Sequence, residues 1–569
     1  MLRWLEIYLP DRRVEERHWP KEEVWRAGRY RTARTLLDLK ACRADPLGEE
    51  NPLVFVAGPL AGTTFSNANR LSVGAKSPLT GGVKESNAGG TLAFAMGQWG
   101  IAGFTLLGRA PDWVVLVFGK EGVRFLDGRE FLGQGTYATV AELRRRYPKA
   151  AVAAIGPVGE YQGLLAGISI TDTEGLPGRI AGRGGLGAVM GAKRVKAIVI
   201  ENPGTPPREK KKFFDELKTY GRMLRENPVT GEYYPKIGTA GMADYQNVAG
   251  GLPVRNFRAG RFTDGPIPIG GEALRELILK RNGQGTPTHA CMPGCIIRCS
   301  NRYPDAEGSL LVSPLEYETI GLVGSNCGLG ELDAIARVNR EANDLGVDTI
   351  ELGATFGVAM DAGLAEWGDL EWMLGVTEEL RRGTPEGKRF AQGAYRLGKA
   401  LGHGRVPTVR KQAISAYDPR VVEGTGVTYM TSQQGADHTT GNPARVETFE
   451  MSLEEVMKLS FDYQVKSAAL DALGLCYMSS AIAEDAIPLV AEAIADRHDV
   501  RLPEHYFSEL GRAVLRLELA FNRAAGLPEV EPLPRFFYDE PLPPTNRRAR
   551  LDPDVVAQFW RRFLEGPGS

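Results

Sequence analysis

Three cysteines on one short loop constrain the fold of this chain more than any other feature of its sequence. Cys291, Cys295 and Cys299 lie within nine residues, in a stretch that contains Met-Pro-Gly, and the chain has only 6 cysteines. Thiols this close on one loop cannot readily bridge each other, but their sulfurs can converge on one inorganic centre. The candidate for a fourth ligand is Cys476, far along the chain. The fold must then return a distant segment to this loop.

Two kinds of centre suit such a group of thiols. Cuboidal iron-sulfur clusters take four thiolates, commonly three close together and one distant, whereas structural zinc prefers paired Cys-x2-Cys knuckles. The Cys-x3-Cys-x3-Cys spacing favours the cluster, and a zinc site or unrelated buried thiols remain as alternatives. Cys42 and Cys327 are predicted to be ordinary small buried residues.

Length and charge limit the class of protein. A chain of 569 residues is too long for one hydrophobic core, so two to four domains are expected. Lys and Arg total 69 against 70 for Asp and Glu, which gives no electrostatic reason to expect nucleic acid or a membrane as partner. No apolar run reaches the length of a signal peptide or a spanning helix, so we expect a soluble cytoplasmic protein with reduced thiols.

The pattern of apolar residues changes along the chain. Up to about residue 200, short β-rich runs at 53–56, 114–118 and 197–200 alternate with glycine loops. A Pro-rich and then charged stretch at 201–212 marks a boundary, and a softer break falls at 402–408. The sequence predicts an α+β protein with a β-sheet-rich domain (1–203) followed by two mainly α-helical domains (204–407 and 408–569).

Two predicted helices in the second half end in a similar motif. The first covers 332–342 and stops at Asn343-Asp-Leu-Gly346, and the second begins at a Ser452/Glu455 capping box and runs towards Gly474. Asn343 and Asp471 each open the form Asn/Asp-x-x-Gly-apolar-Asp/Cys. A shared glycine stop is the simplest explanation of this echo.

Several glycine-rich loops favour phosphate groups. The stretch 182–187 formally satisfies G-x-G-x-x-G, but the residues before it read as a turn-rich loop and the nearest strand candidate ends near Ile170. The context therefore argues against a Rossmann site. The same glycines with Arg179 and Arg183, together with Arg70 and the loops 76–82 and 86–90, can still approach phosphate. Together they indicate a large phosphorylated cofactor.

These residues bring out a family resemblance. Over essentially its whole length the chain resembles the aldehyde:ferredoxin oxidoreductases, which are tungsten or sometimes molybdenum enzymes with a bis-pterin cofactor and one four-iron cluster. The matching landmarks are Ala57-Gly-Pro-Leu-Ala-Gly-Thr63, Lys76-Ser-Pro-Leu-Thr-Gly81, the glycine stretch from Ala181 to Lys193, Gly251-Leu-Pro-Val-Arg-Asn-Phe257, the cysteine loop, Glu316-Tyr-Glu318, Ala416-Tyr-Asp-Pro-Arg420 and Asp471-Ala-Leu-Gly-Leu-Cys476. Their order and co-occurrence make the match specific.

The resemblance implies a set of cofactor contacts. The three loop cysteines and Cys476 would hold a 4Fe-4S cluster, and Arg70 would lie between this cluster and a pterin. Asp471 and Asn343 would accept hydrogen bonds from the pterin rings. The backbone near Asn87 and Ile180 would bind an Mg²⁺ ion that joins the two pterin phosphates. Arg179, Arg183 and Leu475 complete the cofactor-binding residues.

The resemblance also implies two catalytic side chains. Oxidation of an aldehyde needs a base to activate water and a donor to orient the carbonyl oxygen. Glu318 matches the first role and His438 the second. On the sequence alone, a structural or surface role for His438 and a solvated helix position for Glu318 are the simpler explanations.

The implied function is conversion of an aldehyde and water to a carboxylate, with electrons leaving through the cluster to ferredoxin or a similar carrier. One alternative is a related bis-pterin enzyme that reduces carboxylates or aromatic acyl thioesters. Another is a zinc-stabilised nucleotide-binding or scaffolding protein, which would be colourless.

Four positions depart from the family pattern. The first cysteine pair is one residue further apart than usual, and Asn343 stands where an acid is expected. Arg337-Val-Asn-Arg340 replaces the Glu-x-x-His of members with an interface metal, so a homodimer, if it forms, would hold no metal there. Asp437 and Thr440 flank His438, with Thr440 in place of an expected Lys, so substrate preference does not follow from the family.

Overall fold

The computed structural model describes residues 2–204 and 209–565 and begins with two six-stranded β-sheets. The predicted linker is described except for residues 205–208. The first sheet contains β1 (Arg3–Tyr8), β2 (Arg13–His18), β3 (Leu53–Ala57), β4 (Leu71–Lys76), β5 (Val83–Ala88) and β6 (Ile101–Leu107). The second contains β7 (Val114–Gly119), β8 (Gly122–Asp127), β9 (Ala151–Ala154), β10 (Ile168–Ile170), β11 (Arg179–Ala181) and β12 (Val195–Ile200). The three apolar runs predicted as strands are β3, β7 and β12.

The two sheets share one design and one core. The orders are β2-β1-β6-β3-β4-β5 and β11-β10-β9-β12-β7-β8, and each sheet has one parallel pair, β1 with β6 and β7 with β12. Phe104 in the first sheet lies 4.6 Å from Phe55 and 4.9 Å from Phe118 of the second sheet, measured between ring centroids. In these strand orders β5 and β11 are edge strands, and both edges border the functional site.

The glycine motif at 182–187 has a strand before it, contrary to the turn-rich loop expected there. β11 (Arg179–Ala181) runs directly into the motif, and the helix Leu186–Ala192 follows. The strand escaped detection because it has three residues and carries an Arg. It pairs antiparallel with β10 at the sheet edge, so the parallel βαβ unit of a dinucleotide site is not formed.

The remainder of the described chain is mainly helical. Within the sheet-rich part lie α1 (Gly28–Asp38), α2 (Leu92–Gln98), α3 (Thr136–Arg146), α4 (Pro157–Glu160) and α5 (Leu186–Ala192). After the linker come α6 (Lys211–Glu226), α7 (Tyr234–Ile237), α8 (Gly241–Ala249), α9 (Gly271–Arg281), α10 (Tyr317–Thr319), α11 (Leu332–Leu345), α12 (Thr349–Asp361), α13 (Leu370–Arg382), α14 (Pro385–Phe390), α15 (Gly393–Ala400), α16 (Glu423–Thr431), α17 (Leu453–Ala472), α18 (Ala483–His498), α19 (Tyr506–Ala524), α20 (Phe536–Asp539) and α21 (Pro553–Glu565). The predicted α+β class is confirmed.

Both helices singled out in the sequence are present. α11 extends three residues beyond its predicted end, to Leu345, and Gly346 terminates it in the left-handed conformation with φ +67°. α17 starts at the predicted capping box, in which Ser452 accepts from the Glu455 amide and the Glu455 carboxylate accepts from the Ser452 amide.

The cysteine loop is the connection of a small β-sheet. β13 (Thr286–His289) pairs antiparallel with β14 (Ser300–Pro304), which also pairs with β15 (Leu310–Val312), and the three thiols lie between β13 and β14. The short hairpin β16 (Thr408–Val409) and β17 (Gln412–Ala413) starts where the third domain was predicted to begin. The two domain boundaries stay predictions, because one apolar core extends from Trp4 through the helical part to Leu564.

Among the described residues no single helix is long and apolar enough to cross a membrane. One bent pair, α17 with the segment Tyr477–His498, passes the same length and composition test across a 117° break.

The contact between the first sheet and the end of α17 leaves no room for a side chain. A Cβ on Gly58 would lie 2.4 Å from the Leu473 carbonyl oxygen and 2.7 Å from the Gly474 Cα. We expect Gly58→Ala to lower the unfolding free energy by about 1–3 kcal/mol, because backbone must move to admit the methyl group. Denaturant titration of the purified variant measures this.

Gly375 provides the matched control. It lies inside α13 with nothing within 4 Å of its added Cβ, so Gly375→Ala should leave stability unchanged or raise it by up to about 1 kcal/mol. Equal stability of the two alanine variants would contradict the close contact.

Candidate active site

A cavity of about 220 Å³ opens where the sheet edges β5 and β11 meet the helical part. It is lined by Glu85, Ser86, Asn87, Gly178, Ile180, Gly182, Arg183, Pro314, Glu316, Glu318, Thr319, Asn339, Asn343, Val347, Asp348, Thr349, Ile350, Asp437, His438 and Thr439. Six of the residues predicted from the sequence border it: Asn87, Ile180, Arg183, Glu318, Asn343 and His438. The cavity therefore gathers both predicted catalytic residues and part of the predicted cofactor set.

Glu318 and His438 face each other across this cavity. Glu318 lies on α10, and its Oε2 accepts a hydrogen bond from the Ala416 amide at 2.9 Å. Its Oε1 is buried, has no hydrogen-bond partner among the described residues, and lies 3.4 Å from His438 Nε2. Burial raises the pKa of Glu318, against the opposing charge of His438. The free oxygen of this carboxylate is therefore ready to accept a proton.

A hydrogen-bond chain sets the orientation of His438. Its Nδ1 lies 3.0 Å from Ser415 Oγ, and Arg183 donates through Nη1 to the same Oγ at 3.2 Å. Since Ser415 already accepts from Arg183, its hydroxyl hydrogen is available for Nδ1. When Ser415 donates to Nδ1, the His438 proton is on Nε2, the nitrogen nearest Glu318.

A buried ion pair holds the segment that carries His438. Lys84 Nζ donates to Asp437 Oδ2 at 2.7 Å, and both side chains are almost completely buried. Asp437 Oδ1 accepts from the Thr439 amide at 3.1 Å and so caps the turn that begins at His438. Burial raises the pKa of Asp437, but the charges of Lys84 and Arg183 outweigh it and hold that pKa well below its usual value.

Arg183 lines the cavity while its donors face protein groups. It donates to the carbonyl oxygens of Ala413 and Ala436, both at 2.5 Å, and its Nε lies 3.4 Å from Asp348 Oδ2. Glu351, behind it, accepts from the Ala413 amide at 2.8 Å, and burial raises its pKa to about 7. The guanidinium thus joins the glycine motif to the segments around His438.

Asn343 closes the opposite end of the cavity. Its carbonyl oxygen accepts from Thr136 Oγ1 at 2.8 Å, which fixes the end of α11 to α3. Its side-chain amide is buried beside the Tyr137 hydroxyl and interacts with it, although Nδ2 makes no hydrogen bond of full geometry among the described residues.

The four predicted thiols form a second group beside the cavity. Cys291 and Cys476 are buried in one small cluster with Met292, and Cys295 and Met478 pack against it. Cys299 ends the same loop and is partly buried, and it interacts electrostatically with Cys291 and Cys476. The distant segment that carries Cys476 thus returns to the cysteine loop.

Different surroundings shift the thiol pKa values in opposite directions. A hydrogen bond from Cys295 and the charges of Arg179 and Arg70 outweigh burial and lower the pKa of Cys291 to about 6. The hydrogen bond to Cys291 and burial raise the pKa of Cys295, and burial first of all raises those of Cys299 and Cys476. The site favours a thiolate at Cys291.

Arg70 spans the thiol group and the cavity wall. A Cβ on Gly89 would lie 3.1 Å from Cys291 Sγ and 3.4 Å from Arg70 Nη1, so these two groups meet at this glycine. Arg70 Nη2 donates to the carbonyl oxygen of Asn87, which borders the cavity, at 2.9 Å. The side chain therefore lies between the thiol group and the cavity wall, and its role between a cluster and a pterin stays a prediction.

Arg179 makes a second link of the same kind. It donates to Ser300 Oγ at 2.5 Å and to Glu316 Oε1 at 3.3 Å, and its charge acts on Cys291 and Cys299. Its Nε is buried without a partner among the described residues.

Asp471 and Leu475 lie outside the cavity lining, at the end of α17. Asp471 accepts from Arg29 at 3.3 Å, and Arg29 also donates to both oxygens of Glu518 at 2.7 and 2.9 Å. Burial and the charge of Glu85 raise the pKa of Asp471. The Leu475 amide donates to the Leu470 carbonyl oxygen at 2.9 Å, so only the carbonyl and side chain of Leu475 are left for a ligand.

Sequence reasoning missed several charged residues of this region. Lys84, Glu85 and Glu316 border or support the cavity, and Arg29 with Glu518 buries an ion pair beneath Asp471. Asp437 and Glu518, the partners of Lys84 and Arg29, lie hundreds of positions away in the chain, so no spacing rule could reveal these two pairs. The Lys84-Glu85 step before Ser86-Asn87 was the only local hint.

Family models match both parts of the chain. Residues 4–202 match the model described as aldehyde ferredoxin oxidoreductase, N-terminal domain, and residues 216–564 match the one described as aldehyde ferredoxin oxidoreductase, domains 2 and 3. Fold and site thus define an oxidoreductase. The chain belongs to the aldehyde ferredoxin oxidoreductase family, which confirms the resemblance drawn from its motifs.

Curated relatives agree with this assignment. The tungsten-containing aldehyde ferredoxin oxidoreductase of Pyrococcus furiosus is 32% identical, with 94% of this chain and 90% of the relative covered. That of Thermococcus kodakarensis is 31% identical, with 95% and 92% covered. The WOR-like subunit of the aliphatic sulfonate oxidoreductase of Pyrococcus furiosus is 25% identical, with 92% and 86% covered.

The fold also resembles that of the active site complex BamBC of benzoyl coenzyme A reductase in complex with 1,5 dienoyl-CoA. The TM-score is 0.80 at 20% identity, and 99% of this chain and 93% of that chain are covered. At this identity the likeness concerns the fold alone.

The Lys84–Asp437 pair makes a prediction about stability. Lys84→Met removes the ammonium group that pairs with the buried Asp437 carboxylate, and this should lower the unfolding free energy by about 3 kcal/mol. The double variant Lys84→Met/Asp437→Leu should recover part of that loss. Because the folded-state pKa of Asp437 is lowered, its contribution is present at neutral pH and is lost as pH falls through the acid range.

Removal of Lys84 lets the folded-state pKa of Asp437 rise towards its unfolded value, so the stability gap between the parent and the single variant should be widest at neutral pH and should narrow as pH falls through the acid range. Denaturant titrations of the three proteins from acid to neutral pH measure both effects. A single variant as stable as the parent at every pH would contradict the pair's role.

Proposed function

We propose that this protein is a tungsten- or molybdenum-dependent bis-pterin oxidoreductase that converts an aldehyde and water to a carboxylate. The curated relatives are named as tungsten-containing aldehyde ferredoxin oxidoreductases. The observation that carries the proposal is the Glu318–His438 pair in a cavity that adjoins four thiols. The reaction releases two electrons and three protons for each aldehyde and water consumed.

The cavity suits a large polar cofactor. Glu318 Oε1, in the cavity lining, is buried without a hydrogen-bond partner among the described residues, and a polar ligand would satisfy it. Asn343 and Asp471 would hold the pterins, with Arg70, Arg179, Arg183 and Leu475 around them. The backbone at Asn87 and Ile180, on the edge strands β5 and β11, would hold the Mg²⁺ ion. Such a metal-pterin centre supplies the two-electron oxidation of an aldehyde.

The thiol group suits a 4Fe-4S cluster better than one zinc ion. Among the described residues no three or more His, Cys, Asp and Glu side chains lie close enough to share a single ion. A zinc ion needs its sulfurs at about 2.3 Å, whereas a cluster spreads four thiolates around a larger body. Cys291, Cys295, Cys299 and Cys476 would be its ligands, which supports the iron-sulfur alternative over zinc.

The two catalytic side chains have complementary roles in this proposal. Glu318 takes a proton from the attacking water through its free Oε1, while its Oε2 stays anchored on the Ala416 amide. His438 donates from Nε2 to the carbonyl oxygen of the aldehyde, with Ser415 Oγ as the hydrogen-bond partner of Nδ1. The buried Lys84–Asp437 pair keeps the His438 turn in place before substrate arrives.

Reduction of carboxylates or of aromatic acyl thioesters on the same scaffold stays the alternative, and substrate profiling separates it from aldehyde oxidation. A cytoplasmic location and a homodimer without an interface metal stay predictions. Arg337 and Arg340 stand at the sequence positions of the Glu and His that would bind that metal, and guanidinium groups do not bind cations.

Glu318→Gln tests the assigned base. Glutamine keeps the acceptor for the Ala416 amide but cannot take up a proton, so kcat should fall by at least about 100-fold. Metal content should not change. The matched control is Glu316→Gln, because Arg179, Ser300 and Thr239 already occupy that carboxylate. Wild-type turnover in a fully loaded Glu318→Gln enzyme would refute the assignment.

The pH dependence of the parent enzyme tests the same residue. The pKa of Glu318 is raised above 4.5 by burial, and a base must be deprotonated to act. We expect kcat to rise with pH through that raised pKa, and we expect the rise to disappear in Glu318→Gln. If kcat is constant at every pH above the usual carboxylate pKa range, Glu318 is not the base.

Metal analysis of anaerobically purified protein tests the cofactor proposal as a whole. We expect about four iron atoms per chain, as four thiolate ligands imply, together with tungsten or molybdenum. Zinc without iron, in a colourless protein, would leave only the zinc-stabilised alternative.

A further inference from the structure

We propose that Arg29 is a positioning residue for the cofactor: it is held by Glu518 and fixes the Asp471 carboxylate so that one oxygen is free to accept hydrogen bonds from a pterin ring. This inference rests on the proposed function, in which Asp471 contacts a pterin. Arg29 belongs to none of the motifs that carry the family resemblance, and it lies 442 positions before Asp471 in the chain.

The Arg29 guanidinium is buried among acidic side chains. Arg29 and Glu518 are each 1% exposed, and Asp471 is 7% exposed. Arg29 donates through Nε and Nη2 to the two oxygens of Glu518, at 2.7 and 2.9 Å, and this two-point contact fixes the plane of the guanidinium. Because Glu518 occupies these two donors, the remaining nitrogen, Nη1, donates to Asp471 Oδ2 at 3.3 Å.

This contact engages only one oxygen of Asp471. Oδ2 accepts from Arg29, and no described residue donates a hydrogen bond to Oδ1. An ionised carboxylate only accepts hydrogen bonds, so a free Oδ1 suits a heterocycle whose nitrogens carry hydrogen. Arg29 therefore determines which oxygen of Asp471 remains for a ligand.

Arg29 also opposes protonation of this carboxyl group. Burial, followed by the charge of Glu85, raises the pKa of Asp471, whereas the charges of Arg29 and Arg70 and the hydrogen bond from Arg29 lower it. Removal of Arg29 therefore favours the neutral carboxyl group, which is a weaker hydrogen-bond acceptor than the carboxylate.

Backbone contact fixes the start of the helix that carries Arg29. Arg29 is the second residue of α1, and a Cβ on Gly28 would lie 2.0 Å from the Asp471 carbonyl oxygen and 3.0 Å from the Ala472 Cα. The start of α1 thus touches the end of α17 directly. Packing this close leaves the guanidinium little freedom to move away from Asp471.

The same ion pair is connected to the segment that carries His438. Gln434 donates through Nε2 to Glu518 Oε1 at 2.7 Å, and the Glu85 amide donates to Gln434 Oε1 at 3.3 Å. Gln434 precedes His438 in the same short segment. The Arg29–Glu518 pair therefore links the predicted pterin contact to the segment of the proposed catalytic histidine.

The test measures release of the pterin rather than activity. Anaerobic holoenzyme is held below its unfolding temperature, protein is removed from samples by filtration, and the pterin in the filtrate is oxidised and measured by its fluorescence. Arg29→Met should release pterin at least about 10-fold faster than the parent, the size of effect expected when a hydrogen bond to a charged group is lost. Circular dichroism of the same samples shows that the protein stays folded.

A double-mutant cycle separates positioning from general stability. Asp471→Asn should also release pterin faster than the parent. If Arg29 acts through Asp471, the variant Arg29→Met/Asp471→Asn should release it no faster than the faster single variant.

Arg29→Lys keeps the proposal testable if Arg29→Met does not fold. Lysine keeps the charge but lacks the planar fork, so it cannot hold both oxygens of Glu518 and Asp471 in the same geometry. Its release rate should lie between those of the parent and Arg29→Met, and the cycle with Asp471→Asn can be repeated with it.

Arg405→Met is the matched control. Arg405 is also a buried arginine, and it donates to the carbonyl oxygens of Asn256 and Phe257 and pairs with Glu540. None of these residues lines the cavity. Arg405→Met should lower the unfolding free energy in denaturant titration and leave the rate of pterin release unchanged.

The outcomes distinguish the two proposals. Release at the parental rate from Arg29→Met and Arg29→Lys, or a double variant in which the two rate increases multiply, would overturn the positioning role and leave the proposed function intact. If Arg405→Met releases pterin as fast as Arg29→Met, the effect follows from lost stability and the positioning role fails. A parent protein without pterin would overturn the proposed function itself.

Discussion

The structure depends on the return of the end of α17 to the first β-sheet. Gly58 and Gly474 allow two backbones to touch, the Arg70 amide donates to the Gly474 carbonyl oxygen at 3.1 Å, and the Cys476 amide donates to the Asn67 carbonyl oxygen at 2.8 Å. This contact places the fourth thiol beside the cysteine loop. It also sets Asp471 near the cavity wall, so one backbone crossing positions both predicted cofactor sites.

Buried charge is the second constraint on the site. Lys84, Arg183, Asp437 and Glu351 are all withdrawn from water around the cavity, and each has an opposite charge or several hydrogen bonds as compensation. Such groups are costly to bury and hard to rearrange, so they fix the wall before any ligand arrives. Few buried polar atoms of the described residues are left without a hydrogen-bond partner, and Glu318 Oε1 is one of them.

Much of this arrangement can be predicted from the sequence, and the features that could not be predicted have physical reasons. Local signals predicted the α+β order, the capping box at Ser452 and the glycine stop at Gly346, because these depend on neighbouring residues. The three-residue strand β11 was missed because its pairing is tertiary. Lys84 was missed because its partner Asp437 is far away in the chain, and Glu316 was noted only as part of a family motif. The roles of Glu318 and His438 came from the family resemblance, and the structure adds that their side chains face each other.

The most direct measurement of the central claim is iron-edge anomalous diffraction from anaerobically grown crystals. The account predicts a strong iron peak enclosed by Cys291, Cys295, Cys299 and Cys476, beside the guanidinium of Arg70. A crystal with no iron peak there, or with one that excludes Cys476, would contradict it.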